Sequence, residues 1–328
     1  MSTIKTFTLD LDALQFVHSG LARPENVLAE RDGTLWMPDS RGSLTRIDPD
    51  GTMTTVGSVG GESNGFALSP DGQFFYVAHL GNGYVYKMDR AGNHEIILNE
   101  MDGKPLGPAN DVIFDSQGRM WISISTRANP WFLAAAAPRP DGYIILWDEN
   151  GPRIVADGIY FTNEIRLNAD ESYLYVAETM KARMIRFPVN PDGSLGEREV
   201  VGPDNLGEGA YVDGFALDQE GNVWVATIVR NGLMIITPDG HAHTVFEDVN
   251  AAPLAHAITK VNANALAPEE LFACVGPRLQ FPTSVTFAGP DLRTVYMGSL
   301  AMPHLVSFES PIPGLPPLHW TGSITPDS

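Results

Sequence analysis

Six times along the 328-residue chain, a polar residue opens a short apolar strand that runs through a tight turn into a second strand. The openings are Pro24-Glu25-Asn26-Val27, Ser63-Asn64-Gly65-Phe66, Ala109-Asn110-Asp111-Val112, Thr162-Asn163-Glu164-Ile165, Val212-Asp213-Gly214-Phe215 and Thr283-Ser284-Val285-Thr286. Asp32-Gly33, Asp71-Gly72, Gln117-Gly118 and Glu220-Gly221 mark four of the turns, and Ala169-Asp170-Glu171 and Gly289-Pro290-Asp291-Leu292 take their place in the fourth and sixth copies. Short hairpins need residues that tolerate positive φ between two apolar runs. Most copies continue into a third and a fourth strand, as residues 43–47 and 52–56 do in the first. A strand-only repeat of about 40 to 50 residues predicts an all-β fold, a six-bladed β-propeller. No linker with a shifted composition interrupts it, so one domain is expected over residues 1–328.

Equivalent positions in such a repeat converge on one axis. With the first strand of each blade innermost, Glu25, Asn64, Asn110, Asn163, Asp213 and Ser284 are expected to ring one mouth of the channel. The loops after the second strands overhang the same mouth and bring His79, Arg127, Trp131, Phe132, Met180 and Met302 above the ring. Two carboxylates and several amides without a cysteine or histidine cluster form an all-oxygen donor set. Hard divalent cations prefer such donors. A central metal site is therefore expected, with Ca²⁺ the first choice and Mg²⁺, Mn²⁺ or Zn²⁺ also compatible. Glu25 and Asp213 together carry the charge that balances one such ion.

Bulk properties exclude several partner classes. A net charge of −19 opposes nucleic acid and anionic membrane surfaces. The first ten residues lack a signal-like apolar core, and no window approaches an 18-residue apolar run. The expectation is a cytoplasmic protein with a small-molecule ligand and neither nucleic-acid nor membrane partners. Cys274 is the only cysteine, so no disulfide framework exists; it reads as a small residue packed in a strand over 271–275. Two segments, 127–141 and 249–281, exceed the repeat, and long connections in compact domains commonly carry function. The proline-rich stretch 310–317 is expected to run over the surface. Gly61-Glu62-Ser63-Asn64-Gly65 matches a nucleophile elbow, but a strand rather than a helix follows it, so no elbow is expected. His241-Ala242-His243 lacks further ligands and reads as an outer-blade feature.

The motifs Pro24-Glu25, Gly107-Pro108-Ala109-Asn110-Asp111, Thr162-Asn163, Val212-Asp213-Gly214 and the run Pro282 to Thr294 resemble those of the regucalcin and gluconolactonase family (senescence marker proteins). The resemblance covers roughly residues 15–310. It implies that Glu25, Asn163 and Asp213 hold one divalent metal, with Asn110 beside it as a ligand or substrate contact. One departure stands out: Glu164 follows Asn163 where the family commonly has glycine.

The implied reaction is opening of a lactone, with Asp213 as the candidate proton acceptor and Asp111 as its alternative. Asn110 and Arg127 are candidates for the substrate carbonyl or developing oxyanion. Trp131, Phe132 and Met180 would wall the pocket, with His79 and Asn64 as further contacts. Phosphotriester or aryl ester hydrolysis on the same metal site remains an alternative, as does a non-enzymatic propeller that binds an ion and a partner. Strictosidine-synthase-like condensation is disfavoured, because it uses no such metal ring.

Overall fold

In each repeat the turn chemistry sets the hairpin. Gly33, Gly72, Gly118 and Gly221 take φ of 94°, 70°, 77° and 79°, while Glu171 and Leu292 adopt 56° and 57° in the fourth and sixth copies. The computed structural model describes residues 3–321; the remaining ends of the expected 1–328 domain lie outside the described residues. Six four-stranded antiparallel sheets form the blades of a β-propeller. Their inner strands are Leu28–Ala29, Ser63–Leu68, Ala109–Phe114, Thr162–Leu167, Val212–Leu217 and Thr286–Ala288. Inner strands of neighbouring blades touch around most of the ring, including those of blades six and one, and the inner strand of blade two meets the second strand of blade one.

The ring closes by a means with little sequence signal. Gln15–Val17 pairs with Leu305–Glu309 as the outermost strand of blade six, with Phe16 opposite Val306. Three residues with a half-exposed Phe16 give no clear alternation. The run Pro282 to Thr294 adds a seam on the other side of that blade. Thr283 Oγ1 donates to the Glu25 carbonyl at 2.5 Å, and Thr286 Oγ1 donates to the Val27 carbonyl at 2.6 Å.

Apolar faces pack between blades, as where Trp36 meets Phe75 at 4.5 Å between ring centroids. Blades one, three and five share a device. Trp36, Trp121 and Trp224 are fully buried, and each indole N–H donates to an acid six residues upstream: Glu30, Asp115 and Asp218, at 2.6, 2.9 and 2.9 Å. The large ring fills the core while its polar edge stays satisfied.

Both long insertions depart from simple loops. Residues 127–141 contain helix α1 (Phe132–Ala136), and residues 249–281 contain α2 (Ala251–Asn262) and α3 (Pro268–Phe272). Leu271 and Phe272 therefore end a helix instead of opening a strand. Pro268 at the first turn, followed by Glu269 and Glu270, starts that helix and outweighs the apolar run after it. Cys274 is buried just beyond, packed with Leu254, Val261, Leu266 and Phe281.

The proline-rich tail is also more than surface cover. The Gln219 N–H bonds the Pro313 carbonyl at 2.9 Å, the Leu315 N–H bonds the Leu217 carbonyl at 2.9 Å, and the Trp320 indole reaches the Ala29 carbonyl at 2.7 Å. The tail thus crosses the lower mouth of the channel from blade five to blade one. Among the described residues, no helix is long and apolar enough to cross a membrane.

Candidate active site

At the upper mouth, the inner strands of blades two to five do not begin in regular register. Each breaks register beside its polar residue: between Ser63 and Phe66, Ala109 and Asp111, Thr162 and Ile165, and Val212 and Phe215. A bulge re-aims the side chains next to it. Here the breaks turn Asn64, Asn110, Asn163 and Asp213 into one cavity. In blade one, the Glu25 N–H closes back onto the Arg23 carbonyl at 2.8 Å, and the Ser299 N–H pins the Pro24 carbonyl at 2.8 Å. That turn places both Arg23 and Glu25 on the cavity floor. Arg23 escaped the sequence reading because its role depends on an irregular turn outside the strand pattern.

The cavity holds about 290 Å³. Its floor is polar and tightly bonded. Asn64 accepts from Arg23 at 2.8 Å and donates to the Asn110 carbonyl at 3.1 Å. The Asn110 amide nitrogen donates to Ser125 Oγ at 3.1 Å, and that of Asn163 donates to Thr179 Oγ1 at 3.2 Å. Two floor oxygens are left over: Glu25 Oε2 and Asn110 Oδ1 are buried without a hydrogen-bond partner. A buried oxygen without a donor is costly unless a cation or water satisfies it.

Beneath the floor lies a second charged layer. Arg166 bonds Asp111 at 2.5 Å and Glu164 at 2.6 Å, and Glu164 accepts from the Asn26 amide at 2.5 Å. The bulges make room for these acids, since a methyl on Gly65 would collide with the Asp111 carboxylate and one on Gly214 with Glu164. Glu164 in the place of glycine is thus matched by glycine in the neighbouring blade.

The electrostatics follow from burial. Burial and then the Asp213 charge push the Glu25 carboxyl up to about 8. Burial likewise raises Asp213 well above the usual carboxylate range, with Glu164 adding to the effect. Glu164 itself is pushed up to about 8, chiefly by burial. Four buried carboxylates (Glu25, Asp111, Glu164 and Asp213) face two guanidiniums, Arg23 and Arg166. The ionised cluster is short by two positive charges, which one divalent cation supplies. Among the described residues, no three His, Cys, Asp or Glu side chains converge on a metal position. A cation here would depend on the amide oxygens, and the unpartnered Asn110 oxygen and hard all-oxygen floor fit that requirement.

The walls come from elsewhere. Trp131, Met180 and Thr179 line the cavity from the loops of blades three and four. Val261 and Leu266 from the α2 region, with Leu271 and Phe272 of α3, roof it. Other expected contacts sit outside it. Arg127 pairs with Asp157 at 3.0 Å and lies 4.3 Å over the Tyr143 ring, drawn outward by that acid and that ring. His79 has both ring nitrogens engaged, with the Gly60 carbonyl at 3.0 Å and the Asn82 N–H at 3.2 Å. Phe132 packs behind Trp131 with ring centroids 5.8 Å apart, buttressing the wall from α1. Met302 is buried in the core shared by blades one, five and six. Ser284 accepts the Gly298 N–H at 3.1 Å and does not reach the cavity. His243 binds the Phe7 carbonyl at 3.0 Å and ties the N-terminal segment to blade five. A larger groove of about 850 Å³ along blades two to four carries none of the floor residues.

Comparison with known proteins agrees with this architecture. The family model described as SMP-30/Gluconolactonase/LRE-like region matches residues 81–259, more than half of the chain, and the chain belongs to that family. A 6-deoxy-6-sulfogluconolactonase from Pseudomonas putida is 25% identical over 267 residues, covering 80% of this chain and 78% of its own. The fold matches a gluconolactonase from Xanthomonas campestris with a TM-score of 0.67 at 18% identity, over 92% of this chain and 89% of the other. It also matches the calcium-binding protein regucalcin from Agrobacterium tumefaciens with a TM-score of 0.63 at 17% identity, over 92% and 94%.

Proposed function

We propose that this protein is a divalent-metal-dependent hydrolase that opens a lactone, with Ca²⁺ as the first candidate ion. The observation that carries the reading is the convergence of unpartnered Glu25 and Asn110 oxygens with Asp213 and Asn163 at the floor of one cavity. Family membership and the sulfogluconolactonase relative point the same way. Glu25, Asn110, Asn163 and Asp213 would hold the cation. When bound, it would polarise the lactone carbonyl and make water a better nucleophile.

The chain's own groups supply the rest. Among the described residues, Arg23 is the only lysine or arginine lining the cavity, and its guanidinium can stabilise the charge that develops at the carbonyl oxygen. Asn64 fixes that guanidinium at 2.8 Å. Asp213 takes the proton from water as water adds to the carbonyl carbon. Cleavage of the ring C–O bond then leaves an alkoxide, to which Asp213 returns the proton, and the product is a hydroxy acid. The roof of α2 and α3 limits water around the reacting centre.

The reading is tested by stripping metal with a chelator and restoring Ca²⁺, Mg²⁺, Mn²⁺ and Zn²⁺ singly. Each form is assayed on a lactone panel and on aryl phosphotriesters. Lactone opening restored by one or more ions supports the proposal. Turnover of phosphotriesters alone would move the assignment to that chemistry, and undiminished lactonase activity in the chelated protein would remove the metal from it.

A further inference from the structure

The polar groups of the cavity are gathered at its floor, and what lies above them is almost wholly apolar. Leu80, Phe161, Ile228 and Val229 form the walls, while Leu266 and Phe272 belong to the roof. Trp131 stands edge-on to Phe161 at 6.2 Å between ring centroids, braced by Phe132 behind it. Away from the floor, the lining offers few hydrogen-bonding groups. They are Glu62, Tyr211, the Trp131 indole N–H and the Thr179 hydroxyl, and the last already accepts from Asn163. One large apolar side chain of the lining also stays in water: Phe272 of α3 is 53% exposed. An apolar ligand that covered this ring would remove its exposed surface from water, which favours binding.

We infer that the substrate is a lactone carrying an apolar substituent, alkyl or aryl, whose ring rests on the polar floor and whose tail lies against the α1, α2 and α3 roof. This inference rests on the hydrolase reading and deepens it. A sugar lactone presents hydroxyls around its ring, and those facing the roof would lose water without gaining partners. A sulfonated sugar lactone would also need a cation in the upper cavity, yet Arg23 is the only one in the lining and it is bonded into the floor. An alkyl tail meets the opposite situation, since each methylene moved from water onto Leu266, Val229 or Phe272 adds binding.

The test uses the full-length protein loaded with the ion that best supports activity. Its kcat/KM is measured on γ-lactones of increasing alkyl length, on gluconolactone and on the unsubstituted ring. A rise of about threefold to fourfold per methylene, until the tail reaches the mouth, supports the inference (about 0.8 kcal/mol each). Gluconolactone turned over as well as or better than the alkyl lactones would overturn it and leave the hydrolase reading standing. If no lactone is opened with any ion, the hydrolase reading fails. Quenching of tryptophan fluorescence by a non-hydrolysable 2-alkylcyclopentanone, assigned to Trp131 by its loss in Trp131→Phe, then decides the inference: saturable binding that tightens with chain length keeps the apolar site, and its absence removes it. Phe272→Ala, at an exposed position where folding is little affected, is expected to lower kcat/KM for the longest lactone more than for the parent ring, chiefly through KM. Equal effects on both would count against a tail site.

Discussion

Asn163 accepts the backbone N–H of Glu164 at 2.9 Å, so the residue that departs from the family pattern also orients the amide beside it. The Glu164 side chain turns below the floor, where it takes bonds from Asn26 at 2.5 Å, Arg166 at 2.6 Å and the Phe215 N–H at 3.2 Å. One carboxylate thereby links blades one, four and five under the site. What looks in sequence like a lost glycine is a brace, and Gly214 gives it room.

Removing that brace leaves the partly buried Arg166 with half of its counter-charge. Glu164→Ala is expected to cost about 3 to 5 kcal/mol in urea unfolding. It should also weaken cation binding about 10- to 100-fold, because a supporting contact to the floor is lost. Glu164→Gln keeps the shape but only one acceptor oxygen, for either the Asn26 amide or the Phe215 N–H, and should fall between wild type and Glu164→Ala. Unchanged stability in Glu164→Ala would show that the layer below the floor does not hold it.

The two arginines that the chain offers to a substrate should separate in kinetics. Arg23→Gln removes the cation on the floor, and kcat/KM should drop about 10²-fold or more. Arg127→Gln breaks an exposed pair with Asp157 and contacts with the Tyr143 ring and the Asp141 carbonyl, all outside the cavity, so activity should stay within about threefold and stability within about 2 kcal/mol. The reverse order would return the substrate contact to Arg127.

Acid should loosen the roof before the blades. Glu270 ties α3 to α2, accepting from the Ala267 N–H at 2.8 Å, from His256 at 2.9 Å and from Lys260 at 3.1 Å. These contacts, the backbone bond foremost, hold its carboxyl down at about 2 against an ordinary 4.5. The unfolded form therefore takes up its proton first as pH falls. The contribution is complete above about pH 4.5 and is lost toward pH 2. Hydrogen exchange in α2 and α3 should accelerate across that window in wild type, and Glu270→Gln should flatten the difference.

The N-terminal strand should behave as a clasp. Deleting residues through Val17 exposes the Leu305–Glu309 edge, an unpaired strand open to association with other chains. The truncated protein is expected to melt several degrees lower and to aggregate on light scattering. A fully monomeric truncation with an unshifted melting temperature would contradict the clasp.

Much of this architecture is legible in the chain because its determinants are local. Gly33, Gly72, Gly118 and Gly221 announce hairpins, and the short apolar runs around Trp36, Trp121 and Trp224 announce second strands. The polar residues at five of the six strand starts line the cavity for the same reason, since a repeated unit repeats its geometry, and Ser284 is the exception. What escaped depends on contacts far apart in sequence. Gln15–Val17 becomes a strand only because blade six lacks a fourth. Arg23 reaches the floor through a turn held by Ser299, some 276 positions away. Leu271-Phe272 ended a helix for a local reason, the Pro268-Glu269-Glu270 start, whereas Arg127 left the axis for Asp157, 30 positions on. Pairings of that kind have no local signal.

The central claim is that Glu25, Asn110, Asn163 and Asp213 form one divalent-cation site on which lactone opening depends. The most direct measurement titrates Ca²⁺ into chelated protein by calorimetry and follows lactone opening in the same samples, for wild type and for Asp213→Asn. The account predicts a single binding event in wild type, recovery of activity in step with occupancy, and loss of both in Asp213→Asn with the fold intact by circular dichroism. Full activity without a bound divalent ion, or Asp213→Asn binding Ca²⁺ and opening the lactone as wild type does, would contradict it.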